Sequence, residues 1–304
     1  MSVDPEPSSP QLSILLLCWN HAPYLERCIG GLAAQDLAGV EIVFLDNGSS
    51  DGSVGLAESL FKRFGIEARI VQNHEPASIP ANFNRLLAES RGGLVAVLST
   101  DDWYEPAYVA ALKAAAAAHP KAGWFSCSGW LHFDAERRSE PVDEMRFVTD
   151  RPVGEVILDG GEPHFFVGCA YRRSALNAVG GWDEGQLIED RDLFLRLSQR
   201  FAHHRIAKRL VHYRRSSTAA SANAMFMVEG WERFYAKHAA LFGARLPARR
   251  AQTYRSYAAL LTDQGHYRTA LVAIGRALWL RPLASLSWRT LAYLARRAIV
   301  RRSG

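Results

Sequence analysis

The sequence predicts an α/β domain on a mostly parallel sheet, followed by an all-helical appendage. Between residues 12 and 98, short apolar runs alternate with helical patterns as β-α-β-α-β-α-β. These strands are too apolar to leave one face wet, so helices must cover both sides of their sheet. Beyond about Ala220 every pattern is helical. The chain has 304 residues, 48% apolar and 22% charged, which is enough for one large domain plus an appendage and unlike a disordered or fibrous composition.

The elements follow in order. Leu12 to Trp19 is an apolar run fit for a doubly buried strand, and residues 23–35 carry Leu25, Cys28, Ile29 and Leu32 at helical spacing. Val40 to Leu45 is a second strand, Asn47 to Gly52 a turn, 53–64 a helix, 67–72 a strand, 80–91 a helix and 94–98 a strand. An Ala-rich helix over 106–118 precedes a strand from Gly123 to Phe133, and 134–152 mixes charge and proline as a surface loop. A strand from Phe165, a helix at Arg173–Val179, a Gly180-Gly181 break, an amphipathic helix from Glu189 to Phe201 and a last strand at 206–213 complete the domain. The expected division is a disordered start at 1–10, a catalytic domain at 11–220 and a helical region at 221–304.

Charge separates the two parts. Residues 245–304 contain 12 Arg, no Lys and one acid, Asp263, for a formal +11, while the rest of the chain sums to −6. The basic balance belongs to the tail and suits an anionic membrane surface; no nucleic-acid-binding motif accompanies it. Tyr257 to Pro282 has the spacing of one helical hairpin of tetratricopeptide type. Leu283 to Arg302 interleaves Trp288, Leu291, Tyr293, Leu294 and Ile299 with arginines, the composition of an interfacial helix. No uncharged apolar run approaches the roughly 18 residues of a membrane span. Cys18, Cys28, Cys127 and Cys169 are scattered, which fits a reducing, cytoplasmic compartment rather than a disulfide or zinc framework.

In open parallel sheets, ligands bind beyond the carboxyl ends of the strands. That rule selects Asn20-His21, Asp46-Asn47 and Thr100-Asp101-Asp102. Adjacent carboxylates such as Asp101 and Asp102 repel each other, so they suit either a divalent cation completed by phosphate and water or a solvated turn capping the helix after Pro106. Asp46 and Asn47 pair an acceptor with an amide, able to read the edge of a nucleobase, whereas Asp51 or Ser53 would cap the next helix. Gly180-Gly181-Trp182-Asp183-Glu184 leads to Glu189-Asp190-Arg191-Asp192, and one of these acids in a cleft could serve as general base. No glycine occurs in residues 18–24, against a phosphate-binding loop after the first strand.

Together these segments resemble the family 2 glycosyltransferases, inverting enzymes of the GT-A fold that include bacterial cell-surface polysaccharide and lipopolysaccharide transferases. The resemblance rests on Ser13 to Asn20 with the Tyr24 to Ile29 helix, on Asp46 to Ser53, on Thr100-Asp101-Asp102, and on Tyr171-Arg172-Arg173 through Gly180-Gly181-Trp182-Asp183-Glu184 to Glu189-Asp190, covering roughly residues 12–217. The chain departs from it at Asn47, where many members have Asp, and at Leu17-Cys18-Trp19-Asn20, where the first loop usually reads Pro-x-Tyr-Asn. The resemblance implies a nucleotide-diphosphate sugar donor, with its base near Asn20, Asp46 and Asn47 and its ribose near Asp101. It implies a divalent metal, Mn2+ or Mg2+, on Asp102 with Asp101, with His212 either a third ligand or a structural histidine, and Arg214 as a phosphate clamp. Asp190, with Glu189 beside it, would take the proton of an acceptor hydroxyl on a glycan or lipid-linked acceptor. Trp103 and Trp182 would pack on a sugar ring, Asn84 and Arg85 lie on the helix before the acidic motif, and Ser216 to Ser221 would form a loop over the donor. The enzyme would sit on the inner face of the plasma membrane.

Overall fold

The computed structural model describes residues 10–134, 136–142, 151–162, 165, 167–215 and 223–302, the last three as backbone. The expected disordered start, apart from Pro10, and the Ser216 to Ser221 loop lie outside these residues. The chain forms two units: one of residues 1–154, 162–184 and 189–216, the other of 155–161, 185–188 and 217–304.

The first unit holds a nine-stranded sheet. β1 (Leu12–Cys18), β2 (Val40–Asp46), β3 (Arg69–Gln72) and β4 (Leu94–Ser99) are linked by α1 (Ala22–Ala33), α2 (Ser53–Phe64) and α3 (Ile79–Ala88). They pair in parallel in the order β3-β2-β1-β4, and all seven residues of β1 are buried, as its unbroken apolar run requires. α1 turns Leu25, Cys28, Ile29 and Leu32 toward the sheet.

Beyond β4 the sheet becomes mixed. β5 (Trp103–Tyr104) precedes α4 (Tyr108–Ala118), and β6 (Ala122–Phe133), β7 (Arg138–Pro141), α5 (Val153–Leu158), β8 (Ala170–Arg172), α6 (Arg173–Val179), α7 (Glu189–Ser198) and β9 (Ala202–Arg215) follow. The order continues β4-β8-β6-β9-β5, with β7 pairing the end of β6. β5, β7 and β8 run against the other six strands. The segment read as a surface loop thus contains β7, an exposed edge strand of Arg-Ser-Glu-Pro with no buried face to betray it, and α5 begins directly after the segment.

Gly180 and Gly181 both adopt left-handed φ, +79° and +69°, where an L side chain is strained. A Cβ on Gly181 would lie 2.7 Å from Asn84 Oδ1, which accepts from Trp182 N, so the break is also a close approach.

The second unit is helical: α8 (Ala224–Lys237), α9 (Ala239–Phe242), α10 (Leu246–Asp263), α11 (Tyr267–Leu280) and α12 (Ser285–Arg302). Asn223 Oδ1 caps α8 by accepting from Met225 N and Phe226 N. Tyr254, Ala258 and Leu261 of α10 pack with Ala270, Ala273, Ile274 and Ala277 of α11 and Leu294 of α12. Among the described residues no helix is long and apolar enough to cross a membrane.

Candidate active site

The carboxyl ends of β1, β2 and β4 bring the three selected loops to one edge. Asn20 takes a positive φ of 55° and stitches two of them together: its N–H donates to Ser49 Oγ (2.8 Å) and its Oδ1 accepts from Ser50 N (2.9 Å). Asp51 Oδ2 accepts from Ala22 N, the first residue of α1, and Oδ1 accepts from Ser53 N, the first of α2. One carboxylate therefore caps two helices. Asn47 is bound into the fold, accepting from Asn73 Nδ2 and Ala77 N and donating to the Ala77 carbonyl. Its amide is spent on the 73–77 loop rather than presented to a base. Asp46 differs: it is 2% exposed, Oδ2 accepts from Ser49 N, and Oδ1 has no partner among the described residues. An unpartnered buried carboxylate oxygen is costly unless a ligand satisfies it.

The acidic pair repeats this pattern. Asp101 Oδ1 is buried and unpartnered, with His21 Nδ1 4.0 Å away, beyond hydrogen-bond reach. Asp102 is buried and accepts from Arg214 N at 2.7 Å. Burial, and next the Asp101 charge, push the Asp102 carboxyl well above its usual range. The solvated-turn alternative requires exposure that Asp102 does not have. Two carboxylates short of a counter-charge, with an oxygen to spare, fit a hard divalent cation that takes its other ligands from phosphate and water. Among the described residues, no three His, Cys, Asp or Glu side chains form a cluster that could hold an ion.

His212 stands apart from the acidic pair. β9 lies between β5 and β6, and the register places Trp103, His212 and Trp130 side by side. The imidazole stacks on both indoles with centroids 4.5 Å apart. Its Nε2 meets Glu105 Oε1 at 2.5 Å and its Nδ1 meets His132 Nε2 at 2.8 Å, while Ser139 Oγ meets His132 Nδ1 at 2.6 Å. One set of tautomers satisfies the row, with protons donated from Ser139 through His132 and His212 to Glu105. Both ring nitrogens of His212 are thus engaged, and neither is left for a metal. Burial holds both rings neutral, His132 pushed down to about 4.

Trp103 and Trp182 offer no face to a sugar. Arg27 and His212 both pack over Trp103, leaving it 6% exposed, and Trp182 stacks on Phe83 with Tyr171 at its edge. Arg214 lies over Tyr24, donates to the Asp101 carbonyl and pairs with Asp134 at 2.6 Å. Arg27 was not singled out by motif reading. Its signal is helical spacing, because Tyr24 and Arg27 share one side of α1 and Arg27 lies over Trp103, the residue after the acidic pair, near Arg214. Trp19 was also missed. Read as the end of a buried strand, it is 55% exposed beside Asn20, an indole presented to solvent at the sheet's ligand-binding edge.

On the other side, Glu189 and Asp190 open α7, half-buried. β8 begins at Ala170 opposite Ala96, which puts Cys169 near the carboxyl end of β4, and Asp190 lies near enough to raise the Cys169 thiol. Burial, and next Asp190, push Glu189 up to about 8; Asp190 is raised by burial while Arg191 favours its charge. The other acids are committed. Glu184 accepts from Asn84 Nδ2, and the buried Asp192 pairs with Arg196 at 2.7 Å. Arg85 binds the Gln72 carbonyl and Asn73, and Arg172 and Arg173 clamp carbonyls of Ala116, Ala122, Leu87 and Gly92. These side chains are structural clips.

A cavity of about 370 Å³, lined by His119, Lys121, His203 and His204 among others, opens at the amino ends of β6 and β9, the opposite edge of the sheet from Asp102. It has no carboxylate.

Comparison with known proteins gives the family and the fold. Residues 13–180 match the model for glycosyl transferase family 2. The chain is 26% identical over 174 residues, 56% of its length, to a putative glycosyltransferase, EpsH, of Bacillus subtilis, and spans about half of that relative (49%). Its fold is similar to mannosyltransferase PcManGT from Pyrobaculum calidifontis, solved with GDP-Man and Mn2+ (TM-score 0.61, 18% identity, 98% of this chain and 88% of that one). It is also similar to TarS of S. aureus in complex with UDP-GlcNAc (TM-score 0.59, 13% identity, 96% and 92%). The fold is GT-A, a mostly parallel sheet with helices, here with a helical carboxyl-terminal region. With the family model covering more than half of its length, the chain belongs to glycosyltransferase family 2.

Proposed function

We propose that the protein transfers a sugar, with inversion, from a nucleotide-diphosphate donor to a hydroxyl of a glycan or lipid-linked acceptor during cell-surface glycan synthesis. The observation that carries this is the pair of unpartnered buried oxygens, Asp46 Oδ1 and Asp101 Oδ1, at the ends of β2 and β4, the strands on either side of β1, with the buried Asp102 next to Asp101. They are acceptors awaiting donors, and a nucleoside supplies them through its base N–H and ribose hydroxyls. Trp19 offers a ring for the base to stack on, and Arg214 places positive charge beside the acidic pair for the diphosphate.

Asp102 and Asp101 would hold a divalent cation, Mn2+ or Mg2+. When bound there it would offset charge developing on the departing diphosphate. Asp190 accepts the acceptor proton. Burial, and next Asp190, push Glu189 up to about 8, while at Asp190 the Arg191 charge and main-chain N–H oppose the rise that burial causes. The acceptor oxygen bonds to the anomeric carbon as the bond to the diphosphate breaks, and a single displacement inverts the centre.

The charge of the tail, with the four free buried cysteines, supports a cytoplasmic enzyme resting on an anionic membrane face. The test uses purified protein with UDP, GDP and dTDP sugars, with and without Mn2+, scored by thermal shift and then by transfer or slow hydrolysis. Asp190→Asn should lower transfer about 100-fold or more while donor binding persists. Full activity of both Asp190→Asn and Asp102→Asn overturns the mechanism.

A further inference from the structure

The apolar side of α12 is not free. Leu294 is buried and Leu291 packs beside it against α10 and α11, so the middle of this helix is packed inside its own unit, although Ile299 farther along is 65% exposed. The exposed apolar residues gather at the corner where α11 meets α12. Trp279 is 84% exposed and Leu283 96%, with Leu286 and Trp288 each half exposed. Only residues 281–284 separate the helices, and Trp288 Nε1 donates to the Pro282 carbonyl at 2.8 Å, which lays its indole back over the turn. Leu271 and Val272 extend the patch along the outer side of α11 toward Trp279. A soluble surface seldom presents side chains of this size together.

The charge around this corner identifies what it fits. Arg281 and Arg289 flank it, both exposed, and neither has an acidic partner among the described residues. Asp263, the sole acid of residues 245–304, is taken by the Tyr293 hydroxyl and lies 4.0 Å from Arg297. Apolar side chains ringed by unneutralised guanidiniums complement an anionic leaflet, whose phosphates pair with arginine while its acyl region receives indole and leucine.

We infer that the α11–α12 corner is a membrane wedge: Trp279, Leu283 and Leu286 enter the headgroup region of an anionic bilayer, and Arg281 and Arg289 bind its phosphates. This rests on the membrane placement proposed above and moves its apolar anchor from the length of α12 to the turn before it.

The test is flotation of the full chain with phosphatidylcholine vesicles and with vesicles of equal phosphatidylcholine and phosphatidylglycerol. The wild type should float only with the anionic mixture. Trp279→Ser combined with Leu283→Ser should weaken binding roughly tenfold or more with unchanged circular dichroism and melting. Arg281→Gln with Arg289→Gln should weaken it too. Brominated lipid should quench wild-type emission, and Trp279→Phe should remove most of that quench. If the wild type floats and the apolar double variant floats equally well, the wedge is wrong and the membrane placement stands. If the wild type does not float, both fall. Concentration-dependent self-association that the double variant abolishes would assign the corner to a second copy of the chain and overturn the inference.

Discussion

The main-chain N–H of Arg214 donates to Asp102 Oδ1 over 2.7 Å, joining the last sheet strand to the acidic motif after β4. This hydrogen bond and the Arg214 charge favour ionised Asp102, and they do not offset burial and the adjacent Asp101. The protein on its own therefore carries a carboxylate whose charge is poorly supported.

Asp102→Asn should accordingly raise the melting temperature of the ligand-free protein while removing the metal-dependent shift caused by nucleotide. A neutral amide of the same shape no longer suffers the desolvation and repulsion that raise the Asp102 pKa. Differential scanning fluorimetry with and without Mn2+ and each nucleotide measures both effects, and a fall in ligand-free stability would contradict the account.

Glu189→Gln should stabilise the protein in a pH-dependent way. The Glu189 pKa rises from 4.5 to about 8 on folding, so its protonated form supports the fold below the unfolded value and that support is lost as pH climbs through 8. The variant's advantage should be absent near pH 4 and reach on the order of 1 to 2 kcal/mol above pH 8, a discounted figure because the carboxyl is only half-buried. Urea melts across that range measure it.

Asp51→Ala should cost about 1 to 3 kcal/mol, more than an ordinary cap, because it frees the first N–H of α1 and of α2 together. Burial opposes ionisation of Asp51, but the hydrogen bonds from Ser53 and Ala22 hold its pKa below the usual value. The wild-type advantage should therefore narrow as acid protonates it. Chemical denaturation at neutral and acid pH checks both.

Trp19→Ala should raise KM for the donor by about tenfold, the value of one base stacked on an indole, and leave stability within about 0.5 kcal/mol. Loss of stability with unchanged KM would make Trp19 a structural residue.

The parallel half of the sheet was legible because each of β1, β2 and β4 is a buried apolar run bounded by polar turns, a signal that local composition carries. β5 and β7 were not, and the strand expected from Phe165 is confined to the three residues of β8. Trp103–Tyr104 is a strand only because it pairs with Val211 and His212, more than a hundred residues later in the chain. β8 is three residues long, and β7 is polar on both faces. Such strands are created by partners rather than by pattern. The site divided the same way. Motif position located Asp46, Asp101 and Asp102, yet which polar atoms were already spent was invisible: Asn47 satisfied by Asn73 and Ala77, and both His212 nitrogens taken by Glu105 and His132. Trp19 was misread because apolar strand residues are expected to be buried.

The reversal of β8 has a further consequence. Its first residue, not its last, faces the catalytic edge, so the chain comes to that edge through Cys169, runs back along the strand to the far side, and returns through α6 to begin α7 at Glu189 and Asp190. The donor side is drawn from consecutive crossovers of residues 12–102, while the proposed base arrives by a separate excursion. Because Trp182 and Glu184 are bound to Asn84 of α3, an insertion placed after Glu184 would, under the proposed roles, reshape the acceptor side with the least disturbance of the donor side. Under the proposed roles, acceptor choice would diversify with little change to donor choice.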